Sequence, residues 1–226
     1  EVSRGYANAL SMMAMFAIPC SAGLAVLAPF FVPAVLGAKW LAAVPLMQVL
    51  AFNGAVLMFH SPAYSVLIAR GYPGVTVIPN GLYVLLLASL IASMALGSWQ
   101  PGLLGVAMAA LLSSLLCTPV YLYILLHKLF ISPLVFLRAI VRPVGASALM
   151  ALVLVWSLPA YERTMSEVAA AGWLLLGVGV GSIAYVLALA ALWALAKMPH
   201  GPERVVFERV KELVSKLESS PPPASE

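Results

Sequence analysis

The chain has 226 residues, 63% of them hydrophobic and 9% charged, with a formal net charge of +4. Soluble domains run at about 45–50% apolar and about 25% charged, so this composition excludes a water-soluble globular protein and belongs to a polytopic membrane protein. The basic residues are scattered between apolar segments and form no stripe, so nucleic acid is not an expected partner.

Six apolar stretches are long enough to cross a bilayer, for which about 20 residues are needed. They fall at 6–31, 41–69, 75–96, 103–126, 140–158 and 170–196. The first holds Pro19, with Pro29 and Pro33 near its exit, and the second holds Pro45 and Pro62. Loop signals separate the spans at Gly37–Lys39, Arg70–Gly74, Ser98–Gly102 and Pro159–Ser166. Residues 130–138 form a short run ending in Arg138, expected to lie at the membrane interface and not to cross. Beyond residue 198 the pattern changes. Val206, Val210, Leu213, Val214 and Leu217 share one helical face, and Glu212 and Lys216 have the spacing of an ion pair. A short amphipathic cytoplasmic helix followed by a disordered, proline-containing tail is therefore expected over 199–226. The predicted fold is all-α: a polytopic bundle of six transmembrane helices. Glu1 is not preceded by a charged leader with an apolar core, which suggests one lobe of a longer protein.

Basic residues orient such spans, because Lys and Arg concentrate on the cytoplasmic side. Arg4, Arg70, Lys128, Arg138, Arg142 and Lys197 fall on one set of flanks, and Lys39 and Arg163 on the other. Both ends of this segment are then cytoplasmic, with Trp40, Trp99 and Tyr161 at the outer interface.

The acids are more informative. The chain has no Asp, and residues 2–161 contain no Glu. Paired-carboxylate chemistry is thereby excluded from the first five spans, and an anionic partner is favoured. His60, His127 and His200 lack metal-ligand spacing, so no metal or other cofactor is expected. Cys20 and Cys117 read as buried free thiols. The run Gly177–Val–Gly179–Val–Gly181 lacks the preceding strand and following Lys of a phosphate loop; Gly177 and Gly181 read as a close helix–helix contact, and Gly145, Ala146 and Ser147 read similarly. No enzyme signature is present.

Polar residues inside spans are costly in lipid and usually face a cavity or a neighbouring helix. The second span is richest, with Gln48, Asn53, His60 and Tyr64, then Arg70 at its inner end. Asn53, His60 and Tyr64 fall near one face, with Gln48 somewhat off it; Asn80 and Tyr83 follow on the third span. Any one of these residues reads first as interhelical glue, but their clustering favours a cavity lining. Pro19, Pro62, Pro79 and Pro119 are each expected to remove an intrahelical hydrogen bond and bend a span. Such bends are compatible both with ordinary membrane-helix kinking and with a cavity that has hinges.

The string FVPAVLGAKWLAAVPLMQVLAF at 31–52 resembles the C-terminal half of bacterial polysaccharide flippases of the multidrug/oligosaccharidyl-lipid/polysaccharide exporter superfamily, of lipopolysaccharide-biosynthesis or colanic-acid-exporter type. Leu36, Gly37, Lys39, Trp40, Ala43, Pro45, Leu46, Leu50 and Ala51 carry the likeness, joined by the Ala69–Arg70–Gly71 turn and the basic connection over 128–142. It extends over residues 4–197. It implies that this chain is one lobe of a two-lobed transporter whose N-terminal six-helix lobe lies elsewhere. It further implies translocation of undecaprenyl-diphosphate-linked oligosaccharide across the bacterial inner membrane, by rocking about a central cavity. The expected partners are that lipid-linked substrate, the bilayer, the N-terminal six-helix lobe and polysaccharide-synthesis enzymes. Arg70 and Arg4 would attract the anionic head group inside and Lys39 would receive it outside; Asn53, His60, Tyr64, Asn80 and Gln48 would meet sugars. Ala38 stands where relatives often have Glu. The competing readings are a cation-coupled multidrug exporter of the same superfamily, a non-transporting scaffold for polysaccharide synthesis, and a membrane glycosyltransferase, for which catalytic acids are missing here.

Overall fold

A computed structural model of the chain describes residues 2–96, 102–129, 133–159, 161 and 165–195. Among these the chain is helical and forms no strand. The helices are α1 (Val2–Phe31), α2 (Val44–Leu57), α3 (His60–Ala69), α4 (Val77–Leu96), α5 (Gly102–Leu129), α6 (Pro133–Ser157) and α7 (Glu167–Leu195). A π-helical turn (Val32–Leu36) and a 3-10 turn (Ala38–Ala43) join α1 to α2, and a second 3-10 turn (Pro73–Thr76) leads into α4. Six segments are long and apolar enough to cross a membrane: Asn8–Leu36, Ala38–Ala69, Pro73–Leu96, Gly102–Lys128, Ala139–Ser157 and Glu167–Leu195. The tail expected to be amphipathic lies outside the described residues, as do Trp99 and Arg163.

Helix α1 is the centre of the bundle. It packs against α2, α6 and α7, while α5 joins α2 to α4 on the far side. Large apolar side chains such as Phe16, Leu85, Trp156 and Ile183 point outward, an arrangement that lipid favours and water penalises. Cys117 is buried as expected, but Cys20 lies on the outer surface, because position 20 falls on the face of α1 turned away from its neighbours; both thiols are free.

The prolines divide into two kinds. Pro62 and Pro79 were expected to interrupt spans, yet each stands third in its helix, in α3 and α4. The amide at that position has no intrahelical acceptor, so proline costs no bond there. The chain accommodates Pro62 by ending α2 and starting α3, with a turn at Met58 and Phe59.

Pro19 and Pro29 lie inside α1. Each removes the N–H that would have met the carbonyl four residues earlier, at Met15 and Ala25 respectively. Lipid offers no water to replace that bond. Neighbouring helices supply it: the Tyr185 hydroxyl of α7 donates to Met15 O at 2.7 Å, and the Gln48 Nε2 of α2 donates to Ala25 O at 3.0 Å.

The glycines on α7 behave as close contacts. A Cβ on Gly177 would stand 2.5 Å from Leu27 Cδ2 of α1, and one on Gly181 would stand 3.3 Å from Leu154 Cδ1 of α6. Ala146 and Ser147 are likewise buried, and a Cβ on Gly145 would meet Leu192 at 3.4 Å. Residues from Pro133 onward continue without a break into the spanning part of α6, which begins at Ala139. Proline at the first helical position starts a helix readily, so the apolar run that follows simply lengthens α6.

Two stability tests follow. Tyr185→Phe should cost about 1–2 kcal/mol by orphaning the Met15 carbonyl, and adding Pro19→Ala should recover most of that loss, because alanine restores the missing N–H. Thermal unfolding of the purified protein in detergent reads both. By the same measurement Gly177→Val should cost about 1–3 kcal/mol through overpacking. Gly179→Ala, with nothing within 4 Å of its Cβ, should be neutral or stabilising.

Candidate functional site

The polar residues of the second and third spans converge on one face of α5. Ser114, Thr118 and Tyr121 are spaced four and three residues apart, so they line up along about 10 Å of that helix. Each receives a partner from a different helix. Asn53 of α2, buried, has its Oδ1 2.7 Å from Ser114 Oγ. His60 of α3 has its Nε2 3.1 Å from Thr118 Oγ1 and its ring stacked on Tyr121, with centroids 4.5 Å apart. Asn80 of α4 accepts from the Tyr121 hydroxyl at 2.7 Å.

Thr118 has one hydrogen and two groups in reach, Ser114 O at 2.8 Å and His60 Nε2 at 3.1 Å, so the His60 tautomer sets which side of that pair donates. Ser114 has one hydrogen and two acceptors in reach, Asn53 Oδ1 at 2.7 Å and Leu111 O at 2.8 Å. Back-bonding of this kind from Ser and Thr to the preceding turn bends a helix, here just upstream of Pro119.

Beside this ladder lies a small pocket, with room for about one water, lined by Tyr6, Phe59, His60, Thr118, Tyr121, Leu122 and Leu125. It sits where span two is broken, so the N-terminal end of α3 forms part of its wall. The remaining candidates go elsewhere. Gln48 is engaged with Ala25 O. Tyr64 and Arg70 are exposed on α3 and just past its end, and Lys39 is exposed in the α1–α2 corner. The side chain of Arg4 lies outside the described residues.

Arg70 sits at a well-formed helix end. Gly71 takes φ +80°, its N–H donates to Ile68 O, and Tyr72 N–H donates to Leu67 O. This is the Schellman arrangement, which needs a residue free of Cβ at the left-handed position. It places Arg70 at the negative end of the α3 dipole. Lys128 Nζ lies 5.7 Å from the Tyr72 ring centroid, so Arg70, Tyr72 and Lys128 share one end of the bundle. At the corner after α1, Gly37 takes φ +91° and Ala38 N–H donates to Glu167 Oε1 at 3.3 Å. Glu167 is the single acid among the described residues, and it brings a carboxylate to the position where Ala38 itself has none.

Sequence reasoning singled out Asn53, His60 and Asn80 but missed the helix that holds them. The signal was available: small polar residues at helical spacing inside an apolar span mark a packing face.

The fold defines a multi-pass, all-helical membrane protein. The family model described as polysaccharide biosynthesis protein matches residues 1–45, which include the Gly37–Pro45 string. The chain is also 29% identical over 153 residues to the teichuronic acid biosynthesis protein TuaB of Bacillus subtilis (strain 168), an alignment covering 67% of this chain and 31% of that protein. It therefore spans less than a third of that relative's length through this match. No solved structure matches. The likeness to polysaccharide-biosynthesis proteins read from residues 31–52 is supported by both comparisons.

The ladder makes an asymmetric prediction. Ser114→Ala leaves the Asn53 carboxamide oxygen buried without its partner and should cost about 1–3 kcal/mol. Asn53→Leu leaves Ser114 bonded to Leu111 O and should cost less, as read by thermal unfolding in detergent.

Proposed function

We propose that this chain is one six-helix lobe of a flippase that moves an undecaprenyl-diphosphate-linked oligosaccharide across the bacterial inner membrane during surface-polysaccharide biosynthesis. The observation that carries the reading is the match of α1 and the α1–α2 corner to the polysaccharide-biosynthesis family model, in a chain built for the bilayer. The second lobe, which would complete the cavity, is a six-helix N-terminal half. Transport is by alternating access: the lobes rock about the cavity while the lipid tail remains in the bilayer. Both ends of the segment face the cytoplasm, with Arg70 and Lys128 at the inner end.

The acid-free spans suit a diphosphate, because a nearby carboxylate would repel it. In this reading Arg70 meets the head group at the cytoplasmic end and Lys39 meets it outside. Tyr64 and Asn80, on exposed surface of α3 and α4, hydrogen-bond sugars, while Asn53 and Gln48 hold the helices that present them. The chemistry is non-covalent, with no catalytic residue.

The test uses the full-length protein in its host. Arg70→Ala and Tyr64→Ala should each lower surface polysaccharide about tenfold at matched protein levels, the loss expected for a hydrogen bond or charge contact of about 1.4 kcal/mol. Deleting residues 203–226 should leave export intact. Wild-type export from both point variants would overturn the site assignment, and loss of export on deletion would favour a scaffold that recruits synthesis enzymes.

A further inference from the structure

Three spans reach the membrane surface at one corner of the bundle. Ala38–Ala69 ends there, Pro73–Leu96 begins there and Gly102–Lys128 ends there. The corner carries Arg70, Tyr72 and Lys128, all exposed. Two features hold them in place. The Schellman turn, with Gly71 at φ +80°, fixes the chain between Arg70 and Tyr72. The Lys128 ammonium, from the last turn of α5, lies 5.7 Å from the Tyr72 ring centroid, so the ring holds that cation against the connection between α3 and α4.

The charge balance leaves this corner positive. Residues 2–161 carry no carboxylate. Glu167, the single acid among the described residues, lies at the opposite end of the bundle, where it accepts from Ala38 N–H. The C-termini of α3 and α5 end at the corner, and each helix dipole offsets roughly half a charge. Two full cations exceed that offset, so the corner attracts an anion. Its surroundings suit an amphiphile. Val77 and Ile78, in the first turn of α4, are 66% and 62% exposed, and Tyr123, about one turn before Lys128, is 60% exposed. A soluble anion gains nothing from that apolar surface, whereas acyl chains cover it. A long Lys or Arg side chain at a span end also reaches naturally to the level of lipid phosphates.

We propose that Arg70, Tyr72 and Lys128 form a binding site for an anionic phospholipid, with the phosphodiester beside the Lys128 ammonium and the acyl chains against the exposed apolar side chains of α4 and α5. Tyr72 is a positioning residue: its ring fixes the ammonium and does not itself carry charge. Arg70 adds its field from the α3 side. The site goes beyond the flippase reading and does not depend on it, because the lipid it takes belongs to the bilayer and is not the transported molecule.

Native mass spectrometry of the purified full-length protein in detergent, titrated with phosphatidylglycerol or phosphatidylcholine, tests the site. The two lipids share a phosphodiester, and only the first has a net charge. Wild type should bind phosphatidylglycerol more tightly. Lys128→Gln should weaken phosphatidylglycerol binding about fivefold and leave phosphatidylcholine unchanged. Tyr72→Leu should weaken it about two- to fivefold, and Tyr72→Phe, which keeps the ring, should retain wild-type affinity. Equal affinity of wild type and Lys128→Gln for phosphatidylglycerol would overturn the site, as would equal affinity of wild type for the two lipids. Displacement of phosphatidylglycerol by glycerol 3-phosphate would also overturn it, by revealing a site for soluble anions. Export plays no part in these readings, so a negative result leaves the flippase reading untouched.

Discussion

Lipid cannot repair a broken backbone hydrogen bond, and this constraint organises the bundle around α1. Proline at positions 19 and 29 frees the carbonyls of Met15 and Ala25 in the middle of an apolar helix. In water those carbonyls would be solvated at little cost; in a bilayer each must be met by protein. Tyr185 meets one and Gln48 the other, from helices on different sides of α1. Two backbone defects thus become two specific docking points, and they hold α7 and α2 to α1 in a defined register. The small residues of α7 and α6 complement this, since Gly177 and Gly181 let Leu27 and Leu154 pack close.

The same logic shapes the candidate site. Asn53, His60 and Asn80 each find a hydroxyl on α5, so the polar groups that could have faced a cavity mostly tie helices together. Among the described residues the hydroxyls of Tyr6, Ser113, Ser147 and Tyr161 are buried without a partner. The groups most conspicuous in a hydropathy pattern are therefore ones that the bundle itself satisfies. Tyr64, Arg70 and Lys39 are exposed on the bundle surface.

Much of the fold was legible because a bilayer imposes length and apolarity on each span. The acid-free stretch and the glycine contacts on α7 were readable on the same grounds. What could not be read was how each proline would be handled. Pro62 and Pro79 look like interior prolines in an apolar string, yet the chain starts a helix at each, because a proline in the first turn loses nothing. Pro19 and Pro29 stay inside one helix because side chains far along the chain repair the damage, and that separation, 170 residues for Tyr185 and Met15, hides the pairing from any local pattern. Helix α6 reaches back to Pro133 because Arg138 interrupts the apolar run without interrupting the helix.

By itself the amino-acid sequence determined that this protein lives in a membrane as a helical bundle, where its polar residues are, and that its first five spans contain no carboxylate. Those properties depend on composition and on spacing along one segment. The partner of each polar group was decided only by tertiary structure: Gln48 caps a carbonyl, His60 pairs with Thr118, and the Tyr6 hydroxyl meets no partner among the described residues. The reason is geometric. Inside lipid a polar side chain must pair, but whether it pairs with a neighbouring helix depends on which atoms the packing brings within about 3 Å of it.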